Sequence, residues 1–208
     1  WQERELAVAR IQPWRKVTLG RGSVTQVVWP GTSLDEFLAM EQLSSARCSA
    51  IRSAFDTLTE LHIVRAPDER FFAEGFSHGD ATSRNVVFDQ GTGRAIWIDF
   101  DLAHIPARSH EWRRADDVRA FLTSVARHLS LPEFLTIAAE CLGPISSDSK
   151  HSLRQILERA IDNPSSFQMA QTQCDLLTFL DVHQSLLTLL WATEPASPNT
   201  APSDGLKG

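Results

Sequence analysis

The chain has 208 residues, of which 42% are hydrophobic and 22% charged, values typical of a globular protein with one substantial core. Its formal net charge of -6 and its three lysines leave no basic stripe along the sequence, so we expect no nucleic-acid partner. No apolar stretch reaches transmembrane length and no signal-peptide pattern opens the chain, so we expect neither a membrane span nor a signal peptide.

The first predicted elements are a helix and a pair of strands. Residues 1–10 fit a helix, and residues 17–19 and 24–29 fit two strands around a glycine-rich turn at 20–23. The first residue is Trp1 and not Met, so we leave open that the chain is a fragment of a longer protein.

Two helices are predicted next. Ser33 and Glu36 have the spacing of a capping box, which marks the start of the first of them. Residues 47–64 carry apolar side chains at steps of three and four, which predicts a second helix with one buried face. His62 near its end has no second ligand at metal spacing, so we expect it to pack and not to bind metal. The apolar face consists of Ile51, Ala54, Phe55, Leu58 and Leu61.

A β-hairpin is predicted further along the chain. Two short β-prone runs, 85–88 and 95–98, flank a turn at 89–93 that is rich in Gly and Asp. Asn85 would start one strand and Asp99 would follow the other. Because the open ends of a hairpin lie side by side, we expect Asn85 and Asp99 to be neighbours.

The segment 78–85 adds the residue types that phosphoryl transfer uses. Asp80 precedes Asn85 by five positions. Phosphoryl transfer needs positioning and neutralisation of charge more than covalent help. A carboxylate such as Asp80 can accept or orient the proton of an attacking hydroxyl. The oxygens of Asn85 and Asp99 suit Mg²⁺, which bridges nucleotide phosphates, so the pattern favours a kinase-type site.

The remainder of the chain is predicted to be helical. An amphipathic helix opens at Asp116 and presents apolar residues as far as Leu129. The three cysteines lie far apart in helical patterns, which predicts reduced and buried thiols in a cytoplasmic protein. From residue 194 onward Pro, Ser, Ala, Thr and Gly dominate, so we expect disorder. Further helices are predicted at 131–142, 148–160 and 167–191.

The central motifs resemble the catalytic and metal-binding loops of the protein-kinase-like superfamily. The resemblance consists of His-Gly-Asp at 78–80, Asn85, and Ile-Asp-Phe-Asp at 98–101. Typical eukaryotic protein kinases carry arginine where this chain has Gly79. The glycine is closer to the aminoglycoside and choline phosphotransferases, the lipopolysaccharide kinases and atypical small kinases.

The resemblance implies a role for each residue of the site. Asp80 and Asn85 would be the catalytic pair, with Asp80 as the base. Asn85 and Asp99 would hold Mg²⁺ and, through it, ATP. His78 would pack and hydrogen-bond, and Asp117 would reach back to hold the backbone of the catalytic loop. A second explanation for Asp117 stays open, because a carboxylate at a helix start is favoured by the helix dipole alone.

The acceptor is predicted to be a small molecule and not a protein. The segment 102–115 is short and lacks the Ala-Pro-Glu sequence that closes the activation segment of protein kinases. Arg108, Arg113 and Arg114 offer a grip for an anionic substrate, although such a cluster is more often a solvated surface.

We therefore expect an α+β, protein-kinase-like fold made mostly of the helical large lobe, with a catalytic β-hairpin and a truncated small lobe. Residues 1–30 would be the small-lobe remnant, 31–192 the large lobe and 193–208 a disordered tail. The leading hypothesis is an ATP- and Mg²⁺-dependent phosphotransferase acting on a hydroxyl.

Departures from the family keep alternatives open. An intact kinase-like enzyme has a glycine-rich loop over the phosphates and a strand lysine paired with a helix glutamate. The turn at 20–23 is better explained as a tight turn between strands, and Lys16 lies on the wrong side of it. The chain could therefore be a catalytically inactive pseudokinase or a fragment serving as a binding or regulatory domain. A helical interaction module with a structural acidic loop is the third hypothesis.

Overall fold

The described part of the chain is an α+β structure in which helices predominate, and it includes a small antiparallel sheet. This confirms the α+β class predicted from the sequence. The helix predicted at 1–10 and the tail 193–208 lie outside the described residues. The computed structural model describes residues 14–19, 22–27, 31–63, 76–99, 104 and 108–192.

The N-terminal strand pair is confirmed. Strands β1 (Trp14–Leu19) and β2 (Gly22–Val27) are antiparallel, with Trp14 opposite Val27. The first strand begins three residues earlier than predicted, and the second begins two residues earlier and lies closer to the turn. Strand ends are the part of a strand that a sequence pattern locates least well.

A three-stranded antiparallel sheet carries the predicted hairpin. Strand β3 (Thr32–Ser33) pairs with β4 (Val86–Asp89), which pairs with β5 (Arg94–Trp97). The chain enters β3 through Gly31 at φ +139°, where an added Cβ would lie 2.5 Å from the carbonyl oxygen of Phe88. Only glycine allows so close an approach of the two backbones.

Helices α1 (Leu34–Met40) and α2 (Ser44–Ile63) follow β3. The Ser33 hydroxyl accepts a hydrogen bond of 3.2 Å from the backbone N–H of Glu36, as the capping pattern predicts. The predicted apolar face of α2 is buried along its whole length, and His62 is buried with it. The second helix is therefore confirmed, with its start three residues earlier than predicted.

Helix α3 (His110–Ala126) begins six residues before the predicted start at Asp116, so that prediction is wrong. The hydroxyl of Ser109 accepts a hydrogen bond of 3.2 Å from the backbone N–H of Trp112 and caps the helix there. Asp117 consequently lies in the second turn. Since the favourable dipole effect is confined to the first turn, a helix-start position does not explain Asp117.

The C-terminal helices are α4 (Leu131–Leu142), α5 (Ser147–Asp162), α6 (Ser166–Thr172) and α7 (Leu176–Ala192). The first two confirm the predicted helices, whereas the single helix predicted at 167–191 is wrong.

The break between α6 and α7 has a local cause. Gln173 adopts the left-handed conformation at φ +55° and ends α6. The Asp175 carboxylate then accepts a hydrogen bond of 2.9 Å from the backbone N–H of Thr178 and starts α7. The turn brings the end of α6 to the loop that precedes β4.

The hydrophobic core joins the hairpin to the helices. The ring of Trp97 on β5 lies edge-on to His78, with 5.1 Å between ring centroids, and to Phe121 of α3, with 5.6 Å. Its indole N–H donates a hydrogen bond of 3.0 Å to the carbonyl oxygen of Ala54 in α2. One aromatic residue thus fixes the positions of the sheet, two helices and the loop at 78–85.

The state of the cysteines agrees with the expected thiols. Cys48, Cys141 and Cys174 are all free, and the predicted burial is confirmed for Cys141 and Cys174 but is wrong for Cys48, which is only half-buried. Burial raises the pKa of the Cys141 thiol to about 12, so it remains protonated at neutral pH.

Among the helices of the described ranges, none combines the length and the apolar character needed to cross a membrane.

Candidate active site

The predicted site residues meet where the loop 78–85 joins the sheet. Gly79 has a φ of +87°, a conformation that residues with a side chain rarely adopt. A short 3₁₀ turn, Ser83–Asn85, then leads directly into β4. The loop therefore folds back so that Asp80 and Asn85 face each other.

Asp80 and Asn85 are joined by two hydrogen bonds. The side-chain amide nitrogen of Asn85 donates to the backbone carbonyl oxygen of Asp80 and to its carboxylate Oδ2, each at 2.8 Å. Both partners are acceptors, so the amide must present its nitrogen to them. The other end of the amide, Oδ1, is thereby directed away from Asp80 and is able to accept from a donor or coordinate a cation.

Asp99 lies at the adjoining end of the hairpin. The backbone N–H of Ile98 donates a hydrogen bond of 2.9 Å to the carbonyl oxygen of Asn85, and Asp99 is the next residue. Asp99 is exposed and adopts a left-handed conformation at φ +62°, which aspartate tolerates better than most residues. The structure thus brings Asp99 beside Asn85, as the hairpin pattern predicts.

His78 connects the loop to the same strand end. Its Nδ1 accepts a hydrogen bond of 3.3 Å from the backbone N–H of Asp80, and its Nε2 lies 2.9 Å from the carbonyl oxygen of Ile98. Burial lowers the pKa of the His78 imidazole, and the Asp117 carboxylate offsets only part of that effect. A neutral ring with its proton on Nε2 satisfies both contacts.

Asp117 of α3 holds the backbone at the start of the loop 78–85. Its carboxylate accepts hydrogen bonds from the backbone N–H groups of His78, at 2.7 Å, and Gly79, at 2.9 Å. His62 contacts the same carboxylate through Nε2 at 3.0 Å. Burial raises the pKa of Asp117, but the hydrogen bonds and charge of its partners outweigh burial and lower it overall. The contact from Asp117 to the loop, which the family resemblance implies, is present.

Gln171 of α6 also contacts the site, and the sequence analysis missed it. Its amide nitrogen donates a hydrogen bond of 2.9 Å to Oδ1 of Asp80. A helix running unbroken through 167–191 gave no reason to place Gln171 there. The signal that would have revealed the break is Asp175, because aspartate is one of the residues favoured at the start of a helix.

The arginine cluster has partners within the protein. Arg114 donates a hydrogen bond to the carbonyl oxygen of His62 at the end of α2. The guanidinium carbon of Arg108 lies 4.8 Å from the ring centroid of Trp112, a cation–π contact. These contacts favour the interpretation of the cluster as part of the protein surface over its interpretation as a substrate grip.

The oxygen donors of the site suit a hard cation. Asn85 offers an amide oxygen and Asp99 a carboxylate, which are ligand types that Mg²⁺ accepts. Within the ranges that the structure describes, no group of three or more His, Cys, Asp or Glu side chains is arranged to hold a metal ion. An amide oxygen with one carboxylate is a different donor set, and Mg²⁺ commonly completes such a set with phosphate oxygens and water.

Comparisons with known proteins add no assignment. No family model matches the chain, and a search of curated proteins finds no significant match. Function is therefore inferred from the side chains of the loop, the hairpin and the helices that hold them.

Proposed function

We propose that this chain is an ATP- and Mg²⁺-dependent phosphotransferase of the protein-kinase-like type that acts on a hydroxyl. The pair of hydrogen bonds from the Asn85 amide to Asp80 carries the proposal. It couples a candidate base to a candidate metal ligand, so that each helps to orient the other.

The carboxylate of Asp80 has contacts that orient it, as expected of a general base. Each carboxylate oxygen accepts one amide N–H, from Asn85 or from Gln171. Because a carboxylate oxygen has two lone pairs, each retains capacity for the proton of an attacking hydroxyl. Asp80 would accept that proton as the hydroxyl oxygen bonds to the γ-phosphorus of ATP, while the bond from that phosphorus to the bridging oxygen breaks and ADP leaves.

Asn85 Oδ1 and the Asp99 carboxylate would hold Mg²⁺. When bound, the ion neutralises charge on the phosphates of ATP. The left-handed backbone at Asp99 turns the chain at the strand end, next to the backbone of Asn85. Two ligands on adjoining strand ends would then lie on one side of the loop that carries Asp80.

The buried support of the loop favours an enzyme over a flexible acidic turn. Asp117 fixes two successive backbone N–H groups, and His78 links the loop to the strand end at Ile98. Positioning of this kind lowers the entropic part of the barrier to phosphoryl transfer. Accumulating carboxylates at one hairpin is costly unless their charges are used or compensated.

The alternative is a protein that binds a nucleotide without turnover. The observation that favours it is the distribution of lysines, of which the chain has only Lys16, Lys150 and Lys207. Lys150 lies in α5 and donates a hydrogen bond to the carbonyl oxygen of Gly143 at the end of α4. A phosphate-binding lysine paired with a glutamate would therefore have to be Lys16 or Lys207.

A transfer assay decides between the two. Wild type, Asp80→Ala and Asp181→Ala are incubated with radiolabelled ATP, Mg²⁺ and a panel of small alcohols, and ATP affinity is measured in parallel. We expect turnover to be lost in Asp80→Ala alone and ATP affinity to be nearly unchanged in both variants. Asp181 is the control because it is an exposed aspartate of α7. Equal turnover in wild type and Asp80→Ala would overturn the assignment. ATP binding without turnover in any protein would favour the alternative.

A further inference from the structure

We infer that Gln171 is a positioning residue for Asp80, an inference that rests on the proposed phosphotransferase function. Gln171 is 8% exposed and stands in the last turn of α6, 91 positions from Asp80 in the sequence. Its amide nitrogen lies 2.9 Å from Oδ1 of Asp80 and 3.5 Å from the carbonyl oxygen of Gly79.

The orientation of the Gln171 amide is fixed by its neighbours. Its Oε1 accepts a hydrogen bond of 3.2 Å from Nη2 of Arg119, whose side chain is fully buried. A guanidinium only donates hydrogen bonds, and an ionised carboxylate only accepts them. The amide therefore has one satisfactory orientation, with oxygen toward Arg119 and nitrogen toward Asp80.

Arg119 is itself held by a chain of contacts that returns to the loop. Its Nε donates a hydrogen bond of 2.7 Å to Asp116, and the other oxygen of Asp116 lies 3.2 Å from Nε2 of His104. The Nδ1 of His104 lies 3.1 Å from the hydroxyl of Ser77, which directly precedes the catalytic loop. The side chain of Gln171 is thus linked, through Arg119, to the start of the same loop that it contacts.

The two amides constrain Asp80 more than either does alone. Asn85 donates to Oδ2 and Gln171 to Oδ1, so rotation of the carboxylate about its Cβ–Cγ bond would break one of the bonds. With Asn85 as the only donor, a single side-chain hydrogen bond to the carboxylate would oppose that rotation. A base with one orientation transfers a proton more efficiently than one that samples several.

The backbone of Gln171 is held as well. Nη2 of Arg84, in the 3₁₀ turn of the loop, donates a hydrogen bond of 3.0 Å to the carbonyl oxygen of Gln171. The left-handed Gln173 ends α6 immediately afterwards and turns the chain toward α7. Backbone and side chain of Gln171 are therefore both anchored to the segment that carries Asp80 and Asn85.

The test replaces Gln171 by methionine, which keeps the length of the side chain and removes both of its hydrogen-bonding groups. The control is Gln168→Met, one turn earlier in α6, where no hydrogen bond joins the side chain to Asp80. The probe is Mg²⁺-ATP alone, with ADP release to water as the measured reaction.

We expect Q171M to lower kcat by about 10-fold to 100-fold with KM for ATP nearly unchanged, since a small displacement of a reacting group costs rate and not nucleotide binding. Q168M should behave like wild type. Equal kcat in Q171M and Q168M would overturn the role of Gln171, as would a higher KM with kcat unchanged. Absence of ADP release from wild type, both with water alone and with the panel of alcohols, would instead overturn the proposed function.

A second measurement does not depend on turnover or on the folding of Q171M. Hydrogen exchange of the side-chain amide protons of Gln171 is followed by NMR in wild type and Asp80→Ala. The exchange should be several-fold faster in Asp80→Ala, because the acceptor of the Nε2 protons is lost, while that of Gln168 should not change. Equal exchange rates for Gln171 in the two proteins would overturn the contact and the inference with it.

Discussion

The carboxylate of Asp117 accepts a hydrogen bond of 2.7 Å from the backbone N–H of His78, and so a charge buried in α3 holds the first residue of the loop 78–85. Asp117 is 1% exposed, and Gly79 donates to its other oxygen. A buried carboxylate is tolerated only when hydrogen bonds compensate for lost water. The conformation of the loop and the ionisation of Asp117 therefore depend on each other.

Asp117→Ala should destabilise the protein and inactivate the site. The substitution leaves two backbone N–H groups without their acceptor. Leaving one buried donor unsatisfied costs about 1–3 kcal/mol, so we expect the free energy of unfolding to fall by about 3 kcal/mol. Urea denaturation and ATP turnover measure the two effects. Asp148→Ala, which removes an exposed aspartate of α5, is the control. Similar unfolding free energies for the two variants would contradict the anchoring role.

Asn85→Ala should raise the Mg²⁺ requirement and lower turnover together, because it removes a candidate metal ligand and one of the donors to Asp80. Turnover of ATP measured across a Mg²⁺ titration should require about tenfold more Mg²⁺ for half-maximal rate, the size of effect expected when a metal-site partner is lost. Asn163→Ala, at the end of α5, serves as the control. An unchanged Mg²⁺ dependence would exclude Asn85 as a ligand.

Asp35 should make the protein sensitive to acid. Burial raises the pKa of Asp35, but hydrogen bonds from Arg127, Ser83 and His128 outweigh it and bring the pKa from 3.8 to about 2. A lowered folded-state pKa adds stability above the unfolded value, and that stability is lost as the pH falls from about 4 to about 2. Urea unfolding over this range should show the loss in wild type and a flatter profile in Asp35→Asn.

The matched control for Asp35 is the exposed Asp56 of α2. Asp56→Asn should retain the acid sensitivity of wild type. If Asp35→Asn and wild type lost stability in parallel between pH 4 and pH 2, the ion pair at Asp35 would not be the cause.

His183 should produce a second pH dependence at higher pH. Its side chain is fully buried, and burial followed by the charge of Arg119 lowers its pKa from 6.5 to about 4. Because the unfolded chain takes up the proton first, stability should fall as the pH drops from 6.5 to 4, by at most about 3 kcal/mol. Urea unfolding at several pH values measures the slope.

His183→Gln should flatten that slope, since glutamine does not titrate. His151→Gln, at an exposed position of α5, should leave the slope as it is in wild type. A slope unaffected by His183→Gln would show that other groups titrate between pH 4 and pH 6.5.

The parts of the fold that follow a repeating pattern were predictable. The buried face of α2 and the paired strands β4 and β5 each combine a clear period with a turn or cap signal. The errors fall on helix ends that depend on single polar residues. Ser109 starts α3 early, and Gln173 in a left-handed conformation ends α6 where hydrophobic periodicity alone suggests continuity.

The site was predictable as far as it is local in sequence. Asp80, Asn85 and Asp99 belong to one loop and one hairpin, so turn chemistry alone brings them together. Asp117 was expected from a family resemblance and not from its own pattern. Gln171 contacts Asp80 across 91 positions, and no spacing rule relates residues so far apart. Such contacts are set by tertiary packing.

The most direct test of the account is calorimetric titration of the chain with ATP, with and without Mg²⁺, in wild type and Asp99→Asn. Asp148→Asn, an exposed aspartate of α5, is the control. If the hairpin holds the metal, wild type and the control bind ATP more tightly with Mg²⁺ than without it, and Asp99→Asn loses this difference. Identical Mg²⁺-dependent binding in wild type and Asp99→Asn, or no binding of ATP by wild type, would contradict the proposed site.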